Sequence, residues 1–255
     1  MTTLEITSAR NPQYQQWPSF TSAPENPSCP WIALENPKAI VDISKKIKID
    51  LLLHSRESPL IKSLLPRSRK NVRLSASLLR RLSQVVEGGE IVAFFRKPTY
   101  TWETVTRRIL YLEMLQDPGN LGTLFRTAQA TGLFTIVTSP LSVSAYNPKV
   151  VRASSGALFR VPFLEKISLE ALHKRGYHLL ALVPSSETDI FSVSPGNPTA
   201  FLVGNEGAGL SPSAIAASER TISIPTRPGV DSINAAVAGS ILMYHIYRGV
   251  THHEI

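Results

Sequence analysis

A chain of 255 residues, 43% hydrophobic and 18% charged, has room for one large α/β domain or a small domain joined to a medium one, and its apolar content excludes a disordered chain. The net charge of +8 sits at one end: residues 1–100 carry 15 Lys and Arg against 8 Asp and Glu, and residues 101–255 carry 12 against 11. A polyanionic partner meeting the N-terminal part and a merely solvated basic surface both account for that excess, while the single cysteine, Cys29, excludes an intramolecular disulfide and a cysteine-built metal cluster.

Glu5 and Arg10 interrupt the first ten residues, so the start does not read as a secretory signal. Five prolines between Asn11 and Trp31 (Pro12, Pro18, Pro24, Pro27 and Pro30) remove amide donors and fix φ, which predicts an extended arm over residues 1–31. Pro37 then suits the first turn of a helix through Ile47, and Ile49 to Leu53 reads as a buried strand. A helix over Ala76–Val86, the Gly88-Gly89 turn and a strand at Ile91–Phe95 complete a small α/β unit over residues 32–97. Pro66-Arg67-Ser68-Arg69-Lys70 reads as a charged loop between them, a possible phosphate contact.

From Arg108 onward, strands and helices alternate: Ile109–Leu115, a helix after Gly119, Phe134–Thr138, a helix after Pro148, Tyr177–Val183, Ala200–Val203 and Thr221–Ile224. That order predicts a mostly parallel sheet covered by helices over residues 98–255. The last segment, Ser232–Arg248, is apolar on nearly all sides, which predicts a buried helix or one packed on a partner chain. Its longest apolar run, Ala235–Met243, is too short to span a membrane, so the expectation is a protein of the cytosol or of an organelle interior.

Three segments of this region carry chemistry. Asp117-Pro118-Gly119-Asn120, continuing to Arg126, follows a strand, where a parallel sheet places its sites. Leu121, Leu124, Phe125 and Ala128 bury one face of the helix and leave Asn120 and Arg126 free to meet a phosphate or a developing oxyanion; taken alone, an N-capping Asn and an ordinary surface Arg explain the segment better. Val203-Gly204-Asn205-Glu206-Gly207-Ala208-Gly209-Leu210 is a strand entering a Gly-rich loop. Its G-x-x-G-x-G spacing differs from the dinucleotide fingerprint, and Glu206 would repel a pyrophosphate, whereas a carboxylate suits a cation or a hydroxyl. Ile222-Ser223-Ile224-Pro225 and then Asp231-Ser232-Ile233-Asn234 lead into the final helix, with Asp231 or Ser232 as its cap and Asn234 an amide in need of a partner.

In this order the three segments resemble the signature motifs of the SpoU-type (TrmH-type) RNA 2'-O-ribose methyltransferases of the SPOUT superfamily. The similarity is strong over roughly Arg108–Arg248; residues 6–12 and the unit to Lys97 resemble more weakly the lead-in and ribosomal-protein-like RNA-binding domain of rRNA-modifying members. The resemblance implies a homodimer, a deep trefoil knot near the C-terminus, and S-adenosylmethionine bent into the knotted loops; periodicity carries no sign of such a knot. By motif matching, Val203, Gly204, Gly207, Ile224 and Ile233 would hold the cofactor, and Asn120, Arg126, Glu206, Ser232 and Asn234 would line the transfer site. Ile233 stands where Leu is commoner, and Thr226-Arg227-Pro228 fills a loop where small residues are usual.

The reaction so implied is methyl transfer from S-adenosylmethionine to a ribose 2'-hydroxyl of structured RNA, with rRNA favoured by the basic N-terminal unit. A guanidinium is a permanent cation, so Arg126 is expected to stabilise the emerging alkoxide, with Glu206 or a phosphate oxygen taking the proton. Two other readings stand beside it: a tRNA 2'-O-methyltransferase, and a non-catalytic RNA-binding or ribosome-assembly factor that keeps the fold. The second has no chemical need for Asn120, Arg126, Glu206 and Asn234 together.

Overall fold

Short apolar runs alternating with helices started by Pro, Asn or Ser fold into two sheets in the computed structural model, which describes residues 4–22, 26, 28–83, 89–194, 196 and 198–251. The chain divides into two compact units, one of Met1–Pro98 with Tyr146–Phe159, the other of Thr99–Ala145 with Arg160–Ile255.

The first unit runs β1 (Leu4–Ile6), α1 (Pro12–Ser22), β2 (Trp31–Leu34), α2 (Pro37–Ser44), β3 (Ile49–His54), α3 (Pro59–Leu64), β4 (Ser68–Leu74), α4 (Ala76–Leu82) and β5 (Ile91–Arg96). Its sheet has the order β1-β4-β3-β5-β2, parallel across β1, β4 and β3 and antiparallel at β5. Asn36, Ser58 and Ser75 cap α2, α3 and α4 through side-chain oxygens that accept backbone N–H groups, removing orphan donors at each helix start.

Two expectations fail here. The Pro-rich arm contains the helix α1, because Asn11 Oδ1 accepts the amides of Gln13 and Tyr14 and Pro12 occupies the first turn, where no donor is needed. Pro18 lies inside the helix, but Tyr14, Trp17 and Thr21 are buried at i, i+3 and i+7, and the Tyr14 hydroxyl donates to Leu78 O at 3.0 Å; burial of one face outweighs the lost amide. The charged stretch at residues 66–70 is not a loop throughout: Ser68, Arg69 and Lys70 begin β4, whose Asn71, Val72 and Leu74 are buried while Arg69, Lys70 and Arg73 are exposed. Pairing on both sides, with β1 and β3, supplied the strand where local propensity did not. Helix α2 ends at Ser44 rather than Ile47 and α4 at Leu82; Val85, Val86 and Gly88 lie outside the described residues.

The second unit holds β6 (Arg108–Leu112), α5 (Pro118–Thr131) and β7 (Phe134–Thr138), after which α6 (Pro148–Ala153) belongs to the first unit. The Lys97 ammonium lies over the Tyr146 ring at 4.9 Å and Phe159 packs edge-on to Phe95 at 5.6 Å, contacts that tie this segment to the first unit. The chain continues through β8 (Phe163–Leu164), α7 (Leu169–His173), β9 (His178–Leu182), β10 (Thr199–Val203), α8 (Pro212–Ala217), β11 (Arg220–Ile222) and α9 (Ala235–Thr251). The sheet order is β11-β9-β10-β6-β7-β8 with every neighbouring pair parallel, as the alternation requires.

Helix α9 starts three residues later than expected and is not apolar-buried all round. Ala235, Ala236, Ala238, Leu242, Met243 and Ile246 are buried, while Val237 and Tyr244 are 49% and 51% exposed. Burying Leu242, Met243 and Ile246 contributes about 1.5–3 kcal/mol each. Gly239 permits the close packing of α9 on α5, since a Cβ there would stand 2.7 Å from Leu124 Cδ2, and Thr127 and Ser240 share a hydroxyl hydrogen bond of 2.9 Å across the same contact. Among the described residues no helix is long and apolar enough to cross a membrane.

Candidate active site

Strand β6 lies between β10 and β7; the chain runs outward from it through β7 to β8, crosses to β9 on the other side, and only then fills the place beside β6 with β10, so the loops leaving β6 and β10 adjoin at the carboxyl ends of these strands, where open parallel sheets bind ligands. The loops leaving these two strands are tied together. Glu113 N donates to Val203 O at 2.9 Å, and the Glu113 carboxylate accepts from the backbone N and the hydroxyl of Ser211, both at 2.7 Å.

Glu206 is the hub of this junction. One carboxylate oxygen accepts from Asp117 N and Asn120 Nδ2, each at 3.0 Å, and the other from Gln116 N at 3.3 Å and Asn205 Nδ2 at 3.4 Å. Partial burial pushes its pKa up, but the hydrogen bonds from Asn120, its own backbone, Asp117 and Gln116 outweigh that and hold it below the ordinary carboxylate value. Glu206 is therefore held as an anion that anchors the start of α5, its carboxylate already accepting four hydrogen bonds.

Asn120 extends the chain. Its Oδ1 accepts from Asn234 Nδ2 at 3.1 Å, while Asn234 Oδ1 accepts the amides of Ala236 and Val237. Asn234, rather than Asp231 or Ser232, thus caps α9, which answers how an amide sits beside an apolar helix. Asn120 is likewise not the cap of α5: Asp117 is, accepting Asn120 N at 2.8 Å. Asn205 completes the frame, with Nδ2 donating to Met114 O at 2.8 Å and Oδ1 accepting Gly207 N and Ala208 N.

Beside this frame lies a cleft of about 440 Å³, in the range that takes a small ligand. Val203, Gly204, Glu206, Gly207, Ile224, Ser232 and Ile233 all line it, bringing seven of the ten sequence-predicted residues together. Gly204 is forced by packing: a Cβ there would overlap the backbone of Gly209 and Leu210, and Gly209 turns the loop at φ +69. The loop is closed by paired backbone bonds between Asn205 and Gly209. The charged residues lining the cleft are Glu206 and Asp231, with no Lys or Arg among the described lining residues. Apolar walls with carboxylates fit a nucleoside that carries a cation, and reject a pyrophosphate.

Asn120, Asn234 and Arg126 are outside its lining. Arg126 lies six residues along α5 from Asn120, about 9 Å at the helical rise, exposed and with no hydrogen bond or salt bridge among the described residues. Sequence reasoning missed Glu113 and Asn205 as holders of the frame. Asn205 sat inside the quoted motif, and its signal was an Asn followed by small residues able to form an Asx turn; Glu113, one residue past a strand, carried none.

Comparison with known proteins bears on this geometry. Residues 107–244 match the model of the SpoU rRNA Methylase family. An uncharacterized tRNA/rRNA methyltransferase of Synechocystis is 34% identical over 185 residues, 69% of this chain and 66% of its own length. The 23S rRNA (guanosine(2553)-2'-O)-methyltransferase RlmP of Bacillus subtilis is 26% identical over 250 residues, 95% and 98% of the two chains. Among solved structures, the SpoU methyltransferase AviRb of Streptomyces viridochromogenes in complex with AdoMet superposes with a TM-score of 0.82 at 26% identity, covering 95% of this chain and 99% of that one.

Proposed function

This chain belongs to the SpoU rRNA methylase family, and we propose from that premise that it transfers a methyl group from S-adenosylmethionine to a ribose 2'-hydroxyl of rRNA. The observation that carries the reading is the cleft at the β6/β10 junction, with apolar walls, Glu206 and Asp231 on its lining and no cationic side chain among the described ones. A sulfonium is stabilised there, and a phosphate-bearing cofactor is not. The relative RlmP, named for 23S rRNA and aligned over 98% of its length, supports rRNA over tRNA.

Bound S-adenosylmethionine supplies a methyl group already activated by its sulfonium. The chain's own contribution is position and charge. Val203, Gly204, Gly207, Ile224 and Ile233 form the walls that hold the nucleoside. Glu206 fixes Asn120, and Asn120 fixes Asn234, so the loops leaving β6 and β10 and the start of α9 keep one geometry. Ser232, on the cleft lining, faces the ligand. Arg126, with no hydrogen bond or salt bridge among the described residues, steadies the alkoxide as it forms, and the proton passes to an RNA phosphate oxygen because the Glu206 carboxylate already accepts four hydrogen bonds.

The same reading includes a homodimer formed through α9, supported by the exposed apolar pair Val237 and Tyr244 seven residues apart, a knotted crossing of the loops around Gly204, and a cytoplasmic place of work beside the ribosome. Residues 32–97, with the 146–159 segment that packs in the same unit, serve as the RNA-holding module and the rest of 98–255 as the transfer module, with the N-terminal arm joined to the former. Calorimetry with S-adenosylmethionine, followed by mapping of 2'-O-methylation in rRNA from cells lacking the protein, tests it. Micromolar cofactor binding and one missing methyl are expected; a folded protein that binds no cofactor overturns it in favour of the RNA-binding factor.

A further inference from the structure

The first unit carries a second polar pocket. In the parallel part of its sheet, Glu5 pairs in register with Arg73 and Arg73 with His54, forming a row across β1, β4 and β3. The neighbours Ile6, Leu53, Val72 and Leu74 belong to one apolar core, so alternation sends the row to the opposite face. There Glu5, His54, Arg73, Glu57 and Lys62 line a pocket of about 210 Å³, half the size of the cofactor cleft.

The charges in it are idle. Glu5, Glu57, Lys62 and Arg73 make no salt bridge or side-chain hydrogen bond among the described residues, although opposite signs line one small pocket. His54 is 2% exposed; its Nδ1 donates to Arg56 O at 3.1 Å, which leaves Nε2 of the neutral ring an acceptor, and that atom is buried without a partner. A buried polar atom with no partner costs about 1–3 kcal/mol and is accounted for where a ligand completes it.

We propose that this pocket takes one guanine base of the RNA, its N1–H and one N2–H donating to the Glu57 carboxylate, its other N2–H donating to the unpartnered His54 Nε2, and its O6 and N7 accepting from the Arg73 guanidinium. A carboxylate engages two adjacent donors, which guanine alone among the four bases presents beside a ring N–H, and Arg is the matching bidentate partner for O6 and N7. The pocket is too small for a whole nucleotide chain and suits a single splayed base, the form in which RNA sequence is read. The proposal rests on RNA being the substrate and gives the first unit a base-reading role apart from the transfer site.

The test uses the full chain and labelled heptaribouridylates carrying a central G, A, C or U, read by fluorescence anisotropy. The G oligomer is expected to bind about 10-fold more tightly than the others and to shift the His54 imidazole resonances. Arg73→Gln and Glu57→Gln, both at exposed positions, are each expected to erase the preference while calorimetry with S-adenosylmethionine stays unchanged. Equal binding of the four oligomers, or a guanine preference that survives both substitutions, overturns the proposal. A guanine preference in a protein that methylates no rRNA overturns the proposed reaction and leaves the pocket standing; rRNA methylation without the preference does the reverse.

Discussion

The two polar clusters of this molecule are built on opposite plans. Around Glu206 the carboxylate and the two amides of Asn120 and Asn234 are all engaged within the chain, and the cluster acts as a frame. Around His54 the charges of Glu5, Glu57, Lys62 and Arg73 have no such partners among the described residues, and the cluster is open to something else. A polar group satisfied internally shapes a site, and one left unsatisfied is available to a ligand. Arg126, exposed on a helix whose start is bound into the frame, belongs with the second kind.

The comparison is broken most severely at Gly204. Gly204→Ala puts a methyl group into the backbone of Gly209 and Leu210, so the loop must open and the frame loses its shape. Overpacking of this sort costs about 1–3 kcal/mol, and calorimetry is expected to register no S-adenosylmethionine binding in a protein whose far-ultraviolet dichroism stays native. Retained cofactor affinity would show that the cleft does not depend on the close approach.

Arg126→Ala makes the opposite cut. Removing an exposed side chain with no partner among the described residues leaves stability within about 0.5 kcal/mol and cofactor affinity unchanged, while single-turnover methylation of rRNA falls about 100-fold or more if charge stabilisation is its role. Unchanged turnover removes Arg126 from the reaction. Glu206→Gln has a smaller effect: the new NH2 must face either the Gln116 or the Asp117 N–H, donor against donor, while the amide oxygen still accepts from the other, and the exposed setting limits the loss to about 1 kcal/mol. Thermal melts measure it, and turnover should fall less than for Arg126.

How much of this was legible before folding follows the same division. The parallel sheet and the strand at Phe134–Thr138 could be read because hydrophobic period is a local signal, whereas the seven cleft residues were named by the resemblance of their motifs to a known family and meet on one lining. Helix α1 and strand β4 could not, since Pro18 and the Arg69-Lys70 pair argue locally against them and are overruled by burial of Tyr14 and Trp17 and by pairing on both edges. Asn120 and Asn234 were marked as functional, yet their bond spans 114 positions of sequence, and no spacing rule announces it. The pocket around His54 was invisible for that reason too: Glu5, His54 and Arg73 meet only through sheet register.

The smallest expected effect separates the two clusters by pH. Burial lowers the His54 pKa below its ordinary 6.5, with the Arg56 carbonyl and Glu57 opposing and Arg73 assisting. The folded protein then binds fewer protons than the unfolded chain between 6.5 and the lowered value, so the stability present above pH 6.5 declines as pH falls through that window. Glu206 is also depressed, from 4.5, and its contribution is present above that pH and lost as pH falls through its folded value. Melting temperature followed downward from pH 8 should therefore show an earlier loss that His54→Asn removes, its amide still able to donate to Arg56 O, and a later one that Glu206→Gln removes. If His54→Asn leaves the earlier step in place, the His54 ring is not the buried neutral acceptor that the guanine pocket requires.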